Sequence, residues 1–459
     1  MRTKALLMAS LFSLCACTVG PDYKRPQVSV PGQYRGLPPS GQAQTGEPFG
    51  QMKWWAVFQD QVLEGLIKEA LTNNYDIRIA ASRVMQASAA LGVTRANQLP
   101  SINGSAGVEN LRNDFFRGAP TFDTVAIDAS YIVDFWGQFR RATEAARANL
   151  LATEFGQNVV RTTLVSDVAT SYFLLLQFDA QLDYSKQTLV TNQEMLRINT
   201  IKFKGGESAE TDVLQAKVLV EQAESQVITF QQSIEQTENA LSILLGRNPG
   251  PIARGIGLTQ QPHMPEVPVG LPSALLERRP DVRQAELLLS SANANVGVAK
   301  AAFFPQIALT GLFGARSTSL TSFLQGPATF WSIAGQAVQP LYQGGRIRSN
   351  YRLAWAQRDE AELSYKRTVL QAFGDASNSL VGYSQSRQFR MKIAEQTETY
   401  RQTAHLANVR FQGGTTSFLE VLVTQQQYLS SQLALAQAWN AELQNYVQLY
   451  RALGGGWEQ

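Results

Sequence analysis

The sequence predicts an internally duplicated α+β membrane protein, with four β-strands per chain and long antiparallel coiled-coil helices. Three observations predict it. The chain repeats one pattern after about two hundred residues. Within each copy the spacing of apolar residues changes from helical to alternating and back. Each copy also carries a proline-free stretch of roughly 65 residues, which as a helix would be ~100 Å long.

The repeat is read first because it organises everything else. Asn73-Asn74-Tyr75-Asp76-Ile77-Arg78 aligns with Arg278-Arg279-Pro280-Asp281-Val282-Arg283 at an offset of 205, which also pairs Gly92 with Gly297, Pro100 with Pro305 and Ile102 with Ile307. After a small gap the offset is 208, pairing Gly137 with Gly345, Arg140 with Arg348, Asp167 with Asp375, Phe203 with Phe411, Gly205-Gly206 with Gly413-Gly414, Val213-Leu214 with Val421-Leu422 and Leu245-Gly246 with Leu453-Gly454. Each copy is therefore expected to be one structural unit with the same order of elements.

The N-terminus reads as a secretion signal over residues 1–16. Arg2 and Lys4 form a basic start, and Ala5 to Leu14 is an apolar run too short to span a bilayer as a helix. Leu14-Cys15-Ala16-Cys17 resembles the lipobox of bacterial lipoproteins, which implies cleavage before Cys17 and acylation of that cysteine. Both cysteines of the chain lie here, so no disulfide is expected. Thr18 follows where inner-membrane retention usually requires Asp, so transfer to the outer membrane is expected. Residues 17–53 then form an extended, lipidated segment.

The first repeat covers 54–246. Ala, Leu and Val recur at helical spacing from Asp76 to Gln98 until Pro100 stops the helix. Alternation follows in a β-hairpin at about 100–136: Val125, Ile127, Ala129, Tyr131 and Val133 form one face, and Thr124, Asp128, Ser130 and Asp134 the other. A helical hairpin at about 138–246 completes the copy, turning at Gly205-Gly206. Its return helix shows a coiled-coil seam of Val213, Ala216, Val220, Ala223, Val227, Phe230, Ile234, Leu241 and Leu244, broken at Thr237. A Pro-rich linker occupies 247–270.

The second repeat, 271–454, has a helix from Asp281 to Phe303, a β-hairpin at about 305–343 and a helical hairpin at about 346–453, followed by a tail at 455–459. Its strand alternation through Ile307, Leu309, Gly311 and Phe313 is less clean, and Trp331 and Ile333 begin the fourth strand. Hairpin loops are expected near Asn113 to Pro120 and Arg316 to Pro327. The second seam, Leu419, Leu422, Leu429, Leu433, Ala436, Leu443, Val447 and Tyr450, is interrupted at Gln426 and Asn440. The polar remainder, rich in Gln, Ser and Thr, suits helices lining a wide aqueous channel.

Four strands cannot close a pore, because an open edge in lipid leaves backbone groups unpaired, so the chain must oligomerise to insert. Arithmetic alone allows a dimer or a trimer. Composition agrees with large surfaces that are neither core nor strongly charged: hydrophobic residues are 44% and charged residues 17%, against a usual charged fraction of about 25%. The formal net charge of +3 gives no reason to expect nucleic acid as a partner.

Residues along the whole chain carry a family resemblance: Cys17-Thr18-Val19-Gly20-Pro21-Asp22-Tyr23, Trp54-Trp55 with Phe58 and Asp60, Arg278-Arg279-Pro280-Asp281-Val282, Phe304-Pro305 and Leu453-Gly454-Gly455-Gly456-Trp457. The chain resembles the TolC-like outer-membrane factors, and within them the OprM-like lipoprotein branch. The resemblance implies a homotrimer, a twelve-stranded barrel in the outer membrane and a twelve-helix periplasmic α-barrel. It also implies a periplasmic adaptor and an inner-membrane pump as partners, with outer-membrane lipid around the barrel. Small-molecule efflux is the expected function and type I protein secretion the alternative. A periplasmic adaptor or a structural coiled-coil lipoprotein is a rival of another class, which the two amphipathic strand pairs disfavour.

No catalytic site and no cofactor are expected. His263 and His405 have no metal-ligand spacing, and the Gly-Gly pairs lie between helices instead of following strands as phosphate loops do. The candidate sites are Cys17 for lipidation, Gly205, Gly206, Gly413 and Gly414 for adaptor docking at the hairpin tips, and Asp212, Leu419, Glu420 and Val423 for a periplasmic gate. Asp212 and Glu420 are equivalent at the 208 offset and would place six carboxylates about a threefold axis. Equally, acids in a first turn answer the helix dipole, and Ser417 with Glu420 has capping-box spacing, although Ala209 stands at the equivalent of Ser417. The resemblance implies a leucine ring at Leu419 with an aspartate ring one turn on, but that second position is Val423, which suggests an apolar seal.

Overall fold

The computed structural model describes residues 18–32, 49, 53–110, 121–261, 274–318 and 328–457. The elements in chain order are α1 (Trp54–Phe58), α2 (Gln61–Asn73), α3 (Tyr75–Ala96), β1 (Ser101–Asn110), β2 (Thr121–Val133), α4 (Gln138–Lys204), α5 (Glu210–Leu244), α6 (Leu275–Arg278), α7 (Pro280–Ala301), β3 (Gln306–Ser317), β4 (Thr329–Val338), α8 (Arg346–Gln412) and α9 (Phe418–Ala452). The duplication holds to the residue. Moving α3 and β1 by 205 gives the starts of α7 and β3, and moving α4 and α5 by 208 gives both ends of α8 and α9. The register obeys the same shifts: Ser101 opposite Ser130 becomes Gln306 opposite Val338, which is the observed pair. The three-residue difference therefore falls in the loops between the hairpin strands.

The chain divides into two compact units. The first comprises Met1–Val28, Ser82–Phe155 and Gln284–Arg367, and the second Ser29–Ala81, Gly156–Arg283 and Thr368–Gln459. In the first unit the strands form one antiparallel sheet in the order β1-β2-β3-β4. Ile102, Val108, Val125, Ile127, Leu309, Phe313, Trp331 and Ile333 are exposed apolar residues on one face of that sheet. Alternation puts Asn103 and Asp128 opposite each other on the other face, hydrogen-bonded at 3.0 Å. A water-soluble sheet would not leave so many large apolar groups uncovered, whereas a sheet with lipid on one side requires it. Arg316, expected in a loop, lies within β3, where it pairs with Glu109 at 2.8 Å.

The second unit is built from helical hairpins. In α5, Ala216, Val220, Ala223, Phe230 and Leu241 of the expected seam are buried. Thr237 does not break the seam: it is buried too, its hydroxyl donating to the Ser233 carbonyl at 2.7 Å. Asn440 is likewise buried, and its amide donates to Gln177 Oε1 at 2.8 Å. The most apolar stretch of α4 is long enough to cross a membrane by composition, but it is mostly buried in protein, through Leu164, Val165, Val168, Ala169, Tyr172 and Phe173.

Candidate functional site

The hairpin tips are two copies of one turn. In the first, Gly206 N–H donates to the Phe203 carbonyl at 3.0 Å and Glu207 N–H to the Lys202 carbonyl at 2.8 Å. In the second, Gly414 donates to Phe411 at 3.1 Å and Thr415 to Arg410 at 2.9 Å. These are Schellman motifs, which need one left-handed residue. That residue is the second glycine of each pair, Gly206 at φ 77° and Gly414 at φ 72°. The first glycine is not in that region, and a Cβ on Gly205 would meet the Lys202 and Ile201 carbonyl oxygens at an ordinary 3.5 and 3.6 Å. Gly206→Ala is therefore expected to cost about 1 kcal/mol, while Gly205→Ala leaves stability unchanged or slightly raised. Thermal unfolding of the two variants checks this.

The first turns of the return helices differ between copies. Glu420 is half-buried and accepts from Arg410 Nη1 at 3.0 Å and from the Thr416 hydroxyl. The capping box suggested by Ser417 and Glu420 does not form, since Ser417 makes no side-chain cap bond. The physical reason is competition: a cation on the antiparallel partner helix offers the carboxylate a stronger hydrogen bond than a backbone amide does. In the first copy Lys202 stands at the position of Arg410, but its ammonium lies 4.3 Å from the centre of the Phe411 ring instead of pairing with Asp212. Leu419 and Val423 sit one turn apart on α9 and are 58% and 43% exposed. The neighbouring face of the same helix is buried through Phe418, Val421 and Thr424, and the first two join Met195, Ala216 and Ala407 beneath the tips.

Cys17 lies outside the described residues. The segment just after it is pinned to the first unit: Val19 N–H donates to the Trp136 carbonyl at 3.1 Å, Asp22 pairs with Arg141 at 2.6 Å, and Arg25 pairs with Glu286 at 3.2 Å. Asn293 donates to the Pro21 carbonyl at 2.9 Å. An anchor at Cys17 would thus connect directly to the loop between β2 and α4. His263 also lies outside the described residues, and His405 sits in α8.

A buried hub was not singled out for any role in the sequence. Asp60 is 3% exposed. Its Oδ1 accepts from Val62 and Leu63 N–H, capping α2, and its Oδ2 accepts from the Tyr172 hydroxyl at 3.1 Å and from Gln261. Burial pushes the Tyr172 hydroxyl well above the usual tyrosine range, so it remains a donor. The same oxygen of Tyr172 accepts from Gly255 N–H, tying the inter-repeat linker to α4. In the sequence Asp60 stands only among the residues that carry the family resemblance; its cap role and its distant partners come from the structure.

Comparison with known proteins agrees with this geometry. The sequence profile of the outer membrane efflux protein family matches residues 66–247 and 271–455. The chain is 34% identical to the solvent efflux pump outer membrane protein SrpC of Pseudomonas putida, across 100% of this chain and 99% of that protein. It is 31% identical to the cation efflux system protein CusC of Escherichia coli K12, across 99% of each. The crystal structure of the Campylobacter jejuni CmeC outer membrane channel superposes with a TM-score of 0.90 at 26% identity, across 96% of this chain and 95% of that one. With a duplicated framework of strand pairs and helical hairpins matched from end to end, the chain belongs to the outer membrane efflux protein family and is an outer-membrane efflux channel subunit.

Proposed function

We propose that the mature chain, acylated at Cys17, works as a homotrimer that forms the exit duct of a tripartite efflux system. Three chains bring twelve strands to one outer-membrane barrel, and their helical hairpins form the periplasmic tunnel. A periplasmic adaptor docks at Gly205-Gly206 and Gly413-Gly414, and an inner-membrane pump supplies the cargo. Leu419 and Val423 close the periplasmic end, with Asp212 and Glu420 setting the charge beside them. The observation that carries this reading is the four-stranded sheet with an apolar face and two outer edges, β1 and β4, because such a sheet is stable in lipid only when other copies complete it.

The relatives' names speak of solvents, toluene, antibiotics and cations, and these classes are the first cargoes to test. Deleting the gene is expected to raise susceptibility to at least one of these classes several-fold. Restoring the wild-type chain should reverse the effect, and restoring a Gly206→Trp/Gly414→Trp variant should not, although that variant still reaches the outer membrane. A deletion strain with unchanged susceptibility to every class, under conditions in which the chain is expressed, would remove the efflux reading. Lipidation has its own test: Cys17→Ser should abolish incorporation of labelled fatty acid.

A further inference from the structure

The two copies of the repeat differ in charge where the strands give way to the long helices. In the first copy the arginines that open α4 are neutralised: Arg140 pairs with Asp134 at 3.4 Å, and Arg141 pairs with Asp22 at 2.6 Å and with Glu144 at 2.8 Å. The shift of 208 carries Asp134 to Tyr342, Arg140 to Arg348, Arg141 to Ser349 and Glu144 to Arg352. One acid has become an aromatic residue and the other a cation. Gln138, moved by the same shift, becomes Arg346.

Nothing nearby in the chain restores the balance. No Asp or Glu stands between Glu286 and Asp359, and Asp359 and Glu362 are both held by Arg358, at 3.1 and 2.5 Å. Arg346 donates to the neutral Gln343 Oε1 at 2.9 Å. Arg348 and Arg352 make no ion pair among the described residues, and all three arginines are exposed.

The basic patch adjoins the apolar band of the sheet. Trp331 and Ile333 of β4 are 72% and 82% exposed, and Leu341 and Tyr342, just before α8, are 93% and 90% exposed. On α8, Tyr351 packs edge-on against Phe303 at 5.6 Å and against Trp355 at 6.3 Å. Apolar side chains, then aromatic ones, then cations is the order of groups met on crossing from hydrocarbon into lipid headgroups. Arg352 follows Arg346 by six residues, or about 9 Å of helix. That is close to the depth of one headgroup layer, roughly 5–8 Å.

We infer that Arg346, Arg348 and Arg352 form a binding surface for the headgroups of anionic phospholipids in the leaflet on the helix side of the sheet. The phosphate diester accepts charge-assisted bonds from the guanidinium groups, whose planar forks match its oxygens, while the acyl chains lie against the apolar residues of β4. A zwitterionic headgroup brings a cation of its own, so three arginines without an acid select lipids of net negative charge. The first copy, with its acids in place, has no such cluster. The inference goes beyond the efflux reading: it requires only that the sheet sits in the outer membrane, whatever cargo the channel passes.

Native mass measurement of the detergent-extracted full-length protein, titrated with phosphatidylglycerol or phosphatidylcholine, tests this. The wild type should bind phosphatidylglycerol in preference, and raising the ionic strength should weaken the preference, because exposed charges are screened. Near a lipid surface each basic residue contributes about fivefold in affinity, so Arg348→Gln/Arg352→Gln should weaken phosphatidylglycerol binding roughly 25-fold. A second variant, Tyr342→Asp/Arg352→Glu, restores the acids of the first copy and should lose the preference although Arg348 remains. Helical circular dichroism checks the fold of both. Equal affinity of the wild type for the two lipids overturns the inference, as does a preference that both variants keep. Full displacement of phosphatidylglycerol by millimolar inorganic phosphate would show a simple anion site and overturn the lipid surface. The wild-type comparison needs no substitution, so it decides the question where a variant fails to fold.

Discussion

Glu442→Leu should be among the most destabilising single substitutions in the helical hairpins, at about 3–5 kcal/mol. Arg390 on α8 and Glu442 on α9 form an ion pair, and the two residues are only 8% and 5% exposed. The Arg390 guanidinium also lies 4.0 Å from the centre of the Trp439 ring. Removing the carboxylate leaves a cation that is always charged in a buried site, and a cation–π contact of about 1–2 kcal/mol does not replace a paired anion. The internal repeat supplies the control. At the equivalent positions of the first copy stand Leu182 and Ile234, so the same helix pair is closed there by apolar residues. The double variant Arg390→Leu/Glu442→Ile should recover most of the loss, since replacing a whole buried pair by apolar groups of similar volume is often neutral or stabilising. Unfolding followed by helical circular dichroism measures both. Equal midpoints for Glu442→Leu and the double variant would show that the pair is not coupled.

Much of the fold was legible because its determinants are local or repeated. Pro100 and Pro305 mark helix ends, Val125 to Val133 alternate cleanly, and the stretches from Gln138 and Arg346 become helices of 67 residues each. The repeat then confirmed each element by its copy. What sequence could not show was the choice among competing partners. Ser417 and Glu420 have the spacing of a capping box, but Arg410, ten residues earlier and across the turn, takes the carboxylate. Thr237 and Asn440 read as breaks in the seams because their polarity is visible and the Ser233 carbonyl and Gln177 side chain that accept from them are not. The Gly-Gly pairs could be placed at turns, yet only the backbone shows that Gly206 and Gly414 bear the positive φ while Gly205 and Gly413 do not. That division favours a second role for the first glycines, since the turn itself does not demand them.

At the gate, Leu419→Ser/Val423→Ser should raise single-channel conductance and admit vancomycin, with Leu419→Ala giving a smaller change in the same direction. An apolar constriction blocks ions by expelling water, so its effectiveness depends on the uninterrupted apolar lining more than on any one contact. In the proposed trimer Leu419 and Val423, both exposed on α9, would present that lining, whereas their equivalents on α5 are Thr211 and Gln215; a threefold assembly would therefore carry three apolar pairs alternating with three polar ones. Glu420 faces Arg410, so Glu420→Gln leaves the guanidinium unmasked and should lower the cation-to-anion permeability ratio. Arg410→Ala unmasks Glu420 and should raise that ratio, because a carboxylate at a narrow low-dielectric entrance attracts cations. Asp212, whose equivalent cation Lys202 is turned to the Phe411 ring, retains its field, so Asp212→Asn should lower the ratio. Planar-bilayer recordings at two salt gradients read the conductance and permeability ratio of all five variants. If the serine double variant conducts as the wild type does while Asp212→Asn alone opens the channel, the constriction is acidic and the apolar seal is wrong.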